Sequence, residues 1–250
     1  MTRERLFRWI VRAVFWCGLA YVYFAVCRQP AFRPYRFLLP NLFLAYMPIE
    51  LSFHLEETTP RAVFWPIFTV WFFFYPNAPY MLTDFFHLAL RDPYIVRADG
   101  TRTGLLLPDM KMWLTFLDLA ACALVSTFVG ILTLHRTVAV LLRRVGGRTV
   151  WRQAALVLAF TVVASVGIYI GRFPRIHTAY LVTRPLETAK RLSTLWDLRL
   201  VTFTAILTAT QMFVWGLLML VRLLPSHARP LPARMAGNLS HGGAEAGRMA

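Results

Sequence analysis

Between Trp71 and Leu88 the chain reads WFFFYPNAPYMLTDFFHL. An aromatic, apolar run that only a buried or lipid-facing helix can accommodate is interrupted at Pro76-Asn77-Ala78-Pro79, then resumes carrying Thr83, Asp84 and His87. Proline removes a backbone donor and breaks the helical ladder. Lipid offers the freed carbonyls no partner, so such a break persists only against protein or a water-filled cavity. The surroundings make this a membrane problem: 58% of the 250 residues are hydrophobic and 16% are charged, whereas soluble domains carry roughly half and a quarter. The expectation is an all-α, polytopic bundle with its polar site at the broken helix.

Apolar windows long enough to cross ~30 Å of hydrocarbon fall at about 9–27, 37–55, 62–80, 112–134, 150–170 and 198–221. This predicts about six spans within a single transmembrane domain over residues 1–224, the third broken at Pro76–Pro79. The run 1–27 reads as an uncleaved first span, because Arg12 interrupts it and no small-x-small cleavage site follows. From 225 to 250 the chain is rich in Pro, Gly, Ala and Arg, and too poor in large apolar residues to offset the entropy of ordering. A disordered basic tail is expected there. Cys17, Cys27 and Cys122 lie in or beside apolar runs without regular spacing, which points to packing rather than disulfides or zinc.

The formal net charge of +15 comes almost entirely from Arg scattered between apolar segments. That distribution suits anionic lipid headgroups and lacks the stripe expected of a nucleic-acid-binding surface. Six spans place both termini on one side, and Lys/Arg totals of 14 and 13 on the two sides do not orient the protein. The compact basic loop at 136–152 points to cytoplasmic termini.

Alternating spans gather the polar features. Asn41 at the start of span two, Asn77 to His87 at the end of span three, Asp118 in span four and Arg172 at the end of span five share one face. Asn77, Asp84, His87, Asp118 and Arg172 are therefore the candidate polar site, with Asn41, Glu50 and His54 as secondary candidates. Ionisable groups in spans are costly and count as functional candidates by default. Asp118, about six residues into its span and so roughly 9 Å deep, is within reach of Arg172, whose fork of donors suits a carboxylate; the pair either neutralises a site or pins two helices. Asp84 and His87, three apart on a helix capped by Thr83, could serve as base and acid, but a metal site needs a third ligand that the sequence does not supply. Glu50 and His54, four apart, share a helical face and form either a proton relay or a local hydrogen bond. Asn77 can donate and accept and is suited to repairing the broken backbone. The aromatics at Trp65, Trp71, Tyr75, Tyr80, Trp113, Trp151 and Trp196 read as packing and interfacial-belt residues. Neither a catalytic motif nor a cofactor is assigned.

Four pieces resemble a family of bacterial membrane proteins catalogued as domain of unknown function 1361: NLFLAYMPIELSF at 41–53, FFFYPNAPYMLTDFFHL at 72–88, TFLDLAACALVSTFVGILTL at 115–134 and YIGRFPR at 169–175. In the family, Gly-Arg-Phe leads into an aromatic, Asn, Ser, Trp, Asp run, whereas here Arg175 leads into IHTAYLV. The resemblance implies location and site position but no chemistry. Two functions follow as expectations. One is a non-enzymatic membrane component handling a small solute or lipid, or assisting envelope assembly. The other is a membrane-embedded enzyme acting at headgroup level on a lipid or cell-envelope precursor.

Overall fold

Helix α1 (Arg3–Tyr21) begins on Thr2, whose hydroxyl accepts from the Arg5 amide, and continues without a break into a π-helical turn over Val22–Cys27. A 3-10 segment, Pro30–Tyr35, turns the chain back into α2 (Leu38–Ser52). Helix α3 (Arg61–Phe74) is followed by a single turn, α4 (Asn77–Tyr80), a 3-10 segment (Met81–Leu90) and a β-hairpin of β1 (Tyr94–Val96) and β2 (Arg102–Leu106). Three long helices complete the order: α5 (Met110–Arg144), α6 (Val150–Arg172) and α7 (Leu198–Leu223). This computed structural model describes residues 2–90, 93–147, 149–174 and 196–223, with positions 183, 186, 187 and 190. The basic tail expected at 225–250 lies outside the described residues. Contacts group Met1–Gly216 into one compact unit, and Leu217–Leu223, the end of α7, belongs to the remainder.

The architecture is helical, and among the described residues four helices are long and apolar enough to cross a membrane: Arg3–Cys27, Met110–Arg144, Val150–Arg172 and Leu198–Leu223. The second and third expected spans are shorter. At ~1.5 Å per residue, α2 and α3 reach only about 22 and 21 Å; α2 runs on through Pro40 and Pro48 to stop at Ser52, and α3 stops ahead of Pro76. Helix α2 buries one face, with Ala45 and Ile49 fully enclosed. It packs with Val11, Phe15, Met81, Leu119 and Ala123. A second cluster joins Phe64, Trp71 and Tyr75 of the α3 region to Leu134 and Val138 of α5 and to Val157 and Ala164 of α6. Trp71 and Tyr75 are thus core residues, while Trp65, Trp113, Trp151 and Trp196 are exposed.

The segment 136–152, expected as a loop, is helical as far as Arg144. Val138, Ala139, Val140 and Leu142 give it a buried face that holds α5 together beyond the apolar window. The connection shrinks to a turn containing Gly146 at φ 78°, and α6 restarts on Thr149, whose hydroxyl accepts from the Arg152 amide. Around this end of the bundle the charges pair. Arg136 meets Glu4, Arg8 meets Glu56 and Arg143 meets Glu57. Arg12 grips Glu50 at 2.6 and 3.0 Å. Arg144 donates to the carbonyls of Glu56, Glu57 and Thr59, which closes the α2–α3 loop. The opposite end, where α1 and α6 finish and α2 and α5 begin, carries the broken helix.

Candidate functional site

Helix α3 ends at Phe74 because Pro76 cannot donate to the ladder. Asn77 repairs the stub: its side-chain amide donates to the Phe74 carbonyl at 2.9 Å. The turn Asn77–Tyr80 then packs so closely on α5 that a Cβ on Gly130 would lie 2.7 Å from the Ala78 Cβ. Past the break the chain winds as a 3-10 helix rather than the expected α-helix. Thr83 does not cap it; its hydroxyl donates back to the Tyr80 carbonyl at 2.7 Å. With ~3.0 residues per turn, side chains three apart eclipse, so Asp84 and His87 stand one above the other.

Asp84 is the hub. Its side chain is 1% exposed. One carboxylate oxygen accepts from Arg172 at 3.2 Å and the other from the Asn41 side-chain amide at 2.8 Å. Arg172, the last residue of α6, spreads its guanidinium further, donating to the Thr83 carbonyl at 2.9 Å and the Tyr80 hydroxyl at 3.3 Å. Its charge lies 5.7 Å from the centroid of the Tyr80 ring, within cation–π range. The His87 ring stacks on Phe37, centroids 3.8 Å apart. Its Nδ1 sits 3.1 Å from the Asp84 carbonyl and 3.4 Å from Arg172 Nη2. Nδ1 can donate to the first or accept from the second, so the imidazole tautomer and the Arg172 fork are coupled. The Tyr35 hydroxyl contacts the His87 carbonyl at 3.4 Å.

Burial dominates the electrostatics. Loss of solvent pushes the Asp84 carboxyl above the ordinary Asp range, against the opposing pull of Asn41, Arg172 and His87. Burial and then the neighbouring Arg172 charge hold His87 below the ordinary imidazole value, offset by its hydrogen bond to the Asp84 carbonyl and by the Asp84 charge. The site thus sets the Arg172 guanidinium beside a carboxyl whose pKa burial raises and an imidazole whose pKa burial lowers.

Asn41, Asp84, His87 and Arg172 come together around the 3-10 segment, with Asn77 one turn upstream in a backbone role. Asp118 is elsewhere: it accepts from the Tyr21 hydroxyl at 3.0 Å where α1 meets α5, and the arginine expected for it is held by Asp84. Parity placed both carboxylates on one face but could not choose between them; the turn at the proline break brings Asp84 beneath Arg172. Glu50 and His54 approach to 3.4 Å at the other end of the bundle, and Glu50 is also held by Arg12 and the Tyr46 hydroxyl. Sequence reasoning missed Tyr80, Thr83 and Phe37 as parts of the site. Tyr80 was readable, since it lies inside the break itself. Among the described residues no three His, Cys, Asp or Glu side chains cluster closely enough to hold a metal ion.

A family model described as protein of unknown function (DUF1361) matches residues 40–214. The chain belongs to the DUF1361 family. Asn41, Asp84, His87 and Arg172 all lie within the matched residues. No curated protein and no solved structure gives a significant match to the chain.

Proposed function

We propose that this DUF1361 protein is a six-span membrane protein, with α2 and α3 as short crossings and both termini cytoplasmic, whose Arg172 centre binds a small anionic group at the opposite face. The ligand class is a small solute anion or the phosphate of a lipid headgroup. The observation that carries this is the Arg172–Asp84 contact at 3.2 Å around a carboxylate that is 1% exposed. The Arg172 side chain is 18% exposed and so partly meets the surroundings, while its internal counter-anion does not. Burial favours a neutral Asp84, and protonation there would release the guanidinium to an external anion. Asp84 then acts as an internal competitor, and binding is coupled to uptake of one proton. A Lys would supply a point charge but not the planar fork that matches carboxylate and phosphate.

Titration of the purified protein with inorganic phosphate and with acetate, by calorimetry, tests the reading. Wild type should bind and Arg172→Gln should not, at equal helicity. Equal affinity in the two proteins would exclude Arg172 as the ligand group.

The enzymatic alternative rests on His87. Among the described residues only its Nδ1 is engaged, which leaves Nε2 as the proton donor or acceptor in this reading. The Asp84 carboxylate supports it poorly as a general base, since both oxygens are already hydrogen-bonded.

A further inference from the structure

An open groove of about 550 Å³ runs between the last turns of the first helix and the first turns of α2. Trp16, Leu19, Ala20 and Tyr23 form one wall, and Pro40 and Phe43 belong to the other. Trp16 is 56% exposed, Tyr23 47% and Phe43 43%, so the slot faces outward from a helix that is itself long and apolar enough to cross a membrane. Its volume falls within the ~300–1,000 Å³ of ligand pockets, yet its walls offer almost no hydrogen-bonding surface. A polar solute has nothing to bind there; a hydrocarbon chain does.

The segment joining the two walls supplies the other half. Residues 28–36 read RQPAFRPYR, with Arg28, Arg33 and Arg36 exposed and no acidic residue among them. None of the three arginines pairs with a carboxylate among the described residues, unlike Arg8, Arg12, Arg136 and Arg143 at the other end of the bundle. An apolar slot whose two walls are joined by a segment bearing three cations, with no carboxylate partner among the described residues, matches a molecule with a hydrocarbon tail and an anionic head. Cations at a membrane surface attract anionic lipid by about 1 kcal/mol each.

We propose that the α1–α2 groove is a binding site for an anionic phospholipid, one acyl chain lying against Ala20 and Phe43 and the headgroup phosphate facing Arg28, Arg33 and Arg36. The site differs from lipid that merely surrounds the bundle in having a shaped slot and a charged cap, so it should discriminate by headgroup and should fill with a bulky side chain. It is also distinct from the Arg172 centre: Pro40 faces the groove while its neighbour Asn41 bonds Asp84.

Native mass spectrometry of the full-length protein, with phosphatidylglycerol or phosphatidylcholine of matched chains added, reads the site directly. Wild type should retain phosphatidylglycerol about tenfold more strongly than phosphatidylcholine, below the ceiling that three surface cations allow. Ala20→Trp should abolish the retained adduct, with Ala20→Leu as the milder filling variant should the first fold poorly. The triple change Arg28→Gln, Arg33→Gln, Arg36→Gln should erase the headgroup preference, while Arg172→Gln should leave it intact. Equal retention of the two lipids by wild type, or undiminished phosphatidylglycerol retention in both Ala20 variants, would overturn the proposal. A loss of retention in Arg172→Gln alone would assign the lipid to the other centre and overturn it equally.

Discussion

Arg172 and Asp84 lie 88 residues apart in sequence and 3.2 Å apart in space, joining the end of α6 to the 3-10 segment that follows the proline break. Removing one partner of a buried pair strands the other charge, and costs about 3–5 kcal/mol. Asp84→Ala and Arg172→Ala should each lower the unfolding temperature and membrane abundance sharply. The double variant should be less destabilised than the sum of the two, a coupling that a double-mutant cycle measures. Additive effects would mean that the two groups do not sense each other.

Acid should weaken the fold through His87. Its folded pKa is depressed, so the neutral ring's contribution to stability is fully present above the unfolded value of about 6.5 and is lost as pH falls through the lower folded value. Asp84 has the opposite sign: its raised pKa favours the protonated form, and its contribution is lost as pH rises through that value. The two contributions oppose each other as pH falls from 7, so the melting temperature of His87→Gln should fall less, or rise more, than that of wild type over the same range. Identical slopes would remove His87 from the titration.

Gly130 is where α5 meets the turn after the break. A Cβ there would sit 2.7 Å from that of Ala78, itself fully buried, and overpacking of this kind costs about 1–3 kcal/mol. Gly130→Val should destabilise the protein, and Ala78→Gly should recover part of the loss. Gly167, whose added Cβ would meet only the Pro76 ring at 3.5 Å, should accept alanine with little change.

Orientation can be read with reporter fusions after Arg148 and after Arg102. With cytoplasmic termini the first reads as cytoplasmic and the second, on the hairpin strand β2, as external. The reverse pattern would invert the assignment and place the Arg172 centre on the cytoplasmic face.

The helical character of the chain and the long apolar helices were legible because hydrocarbon thickness sets the length of an apolar run locally. Proline chemistry acts locally too, and α3 ends at Phe74, two residues before Pro76. The choice of partner for Arg172 was not legible. Asp84 and Asp118 stand on the same face by parity, and only the tight 3-10 winding after Tyr80 decides which carboxylate lies beneath the guanidinium. Arg12 illustrates another limit: read alone it argued against a signal peptide, and its grip on Glu50 emerges only once α1 packs beside α2. The continuation of α5 through Val138 to Leu142 was hidden because its basic ends read as a loop, although the run between them, VAVLL, is wholly apolar.

The central claim is that Asp84 competes internally for an anion-binding Arg172, and the phosphate affinity of Asp84→Asn tests it most directly. The amide keeps the shape of the carboxylate and removes its charge, so that residue 84 no longer competes as an anion for the guanidinium at any pH. If the account holds, this variant binds inorganic phosphate more tightly than wild type and loses the component of the pH dependence that comes from protonating residue 84. Weaker binding than wild type, or an unchanged affinity with the same pH profile, would contradict it.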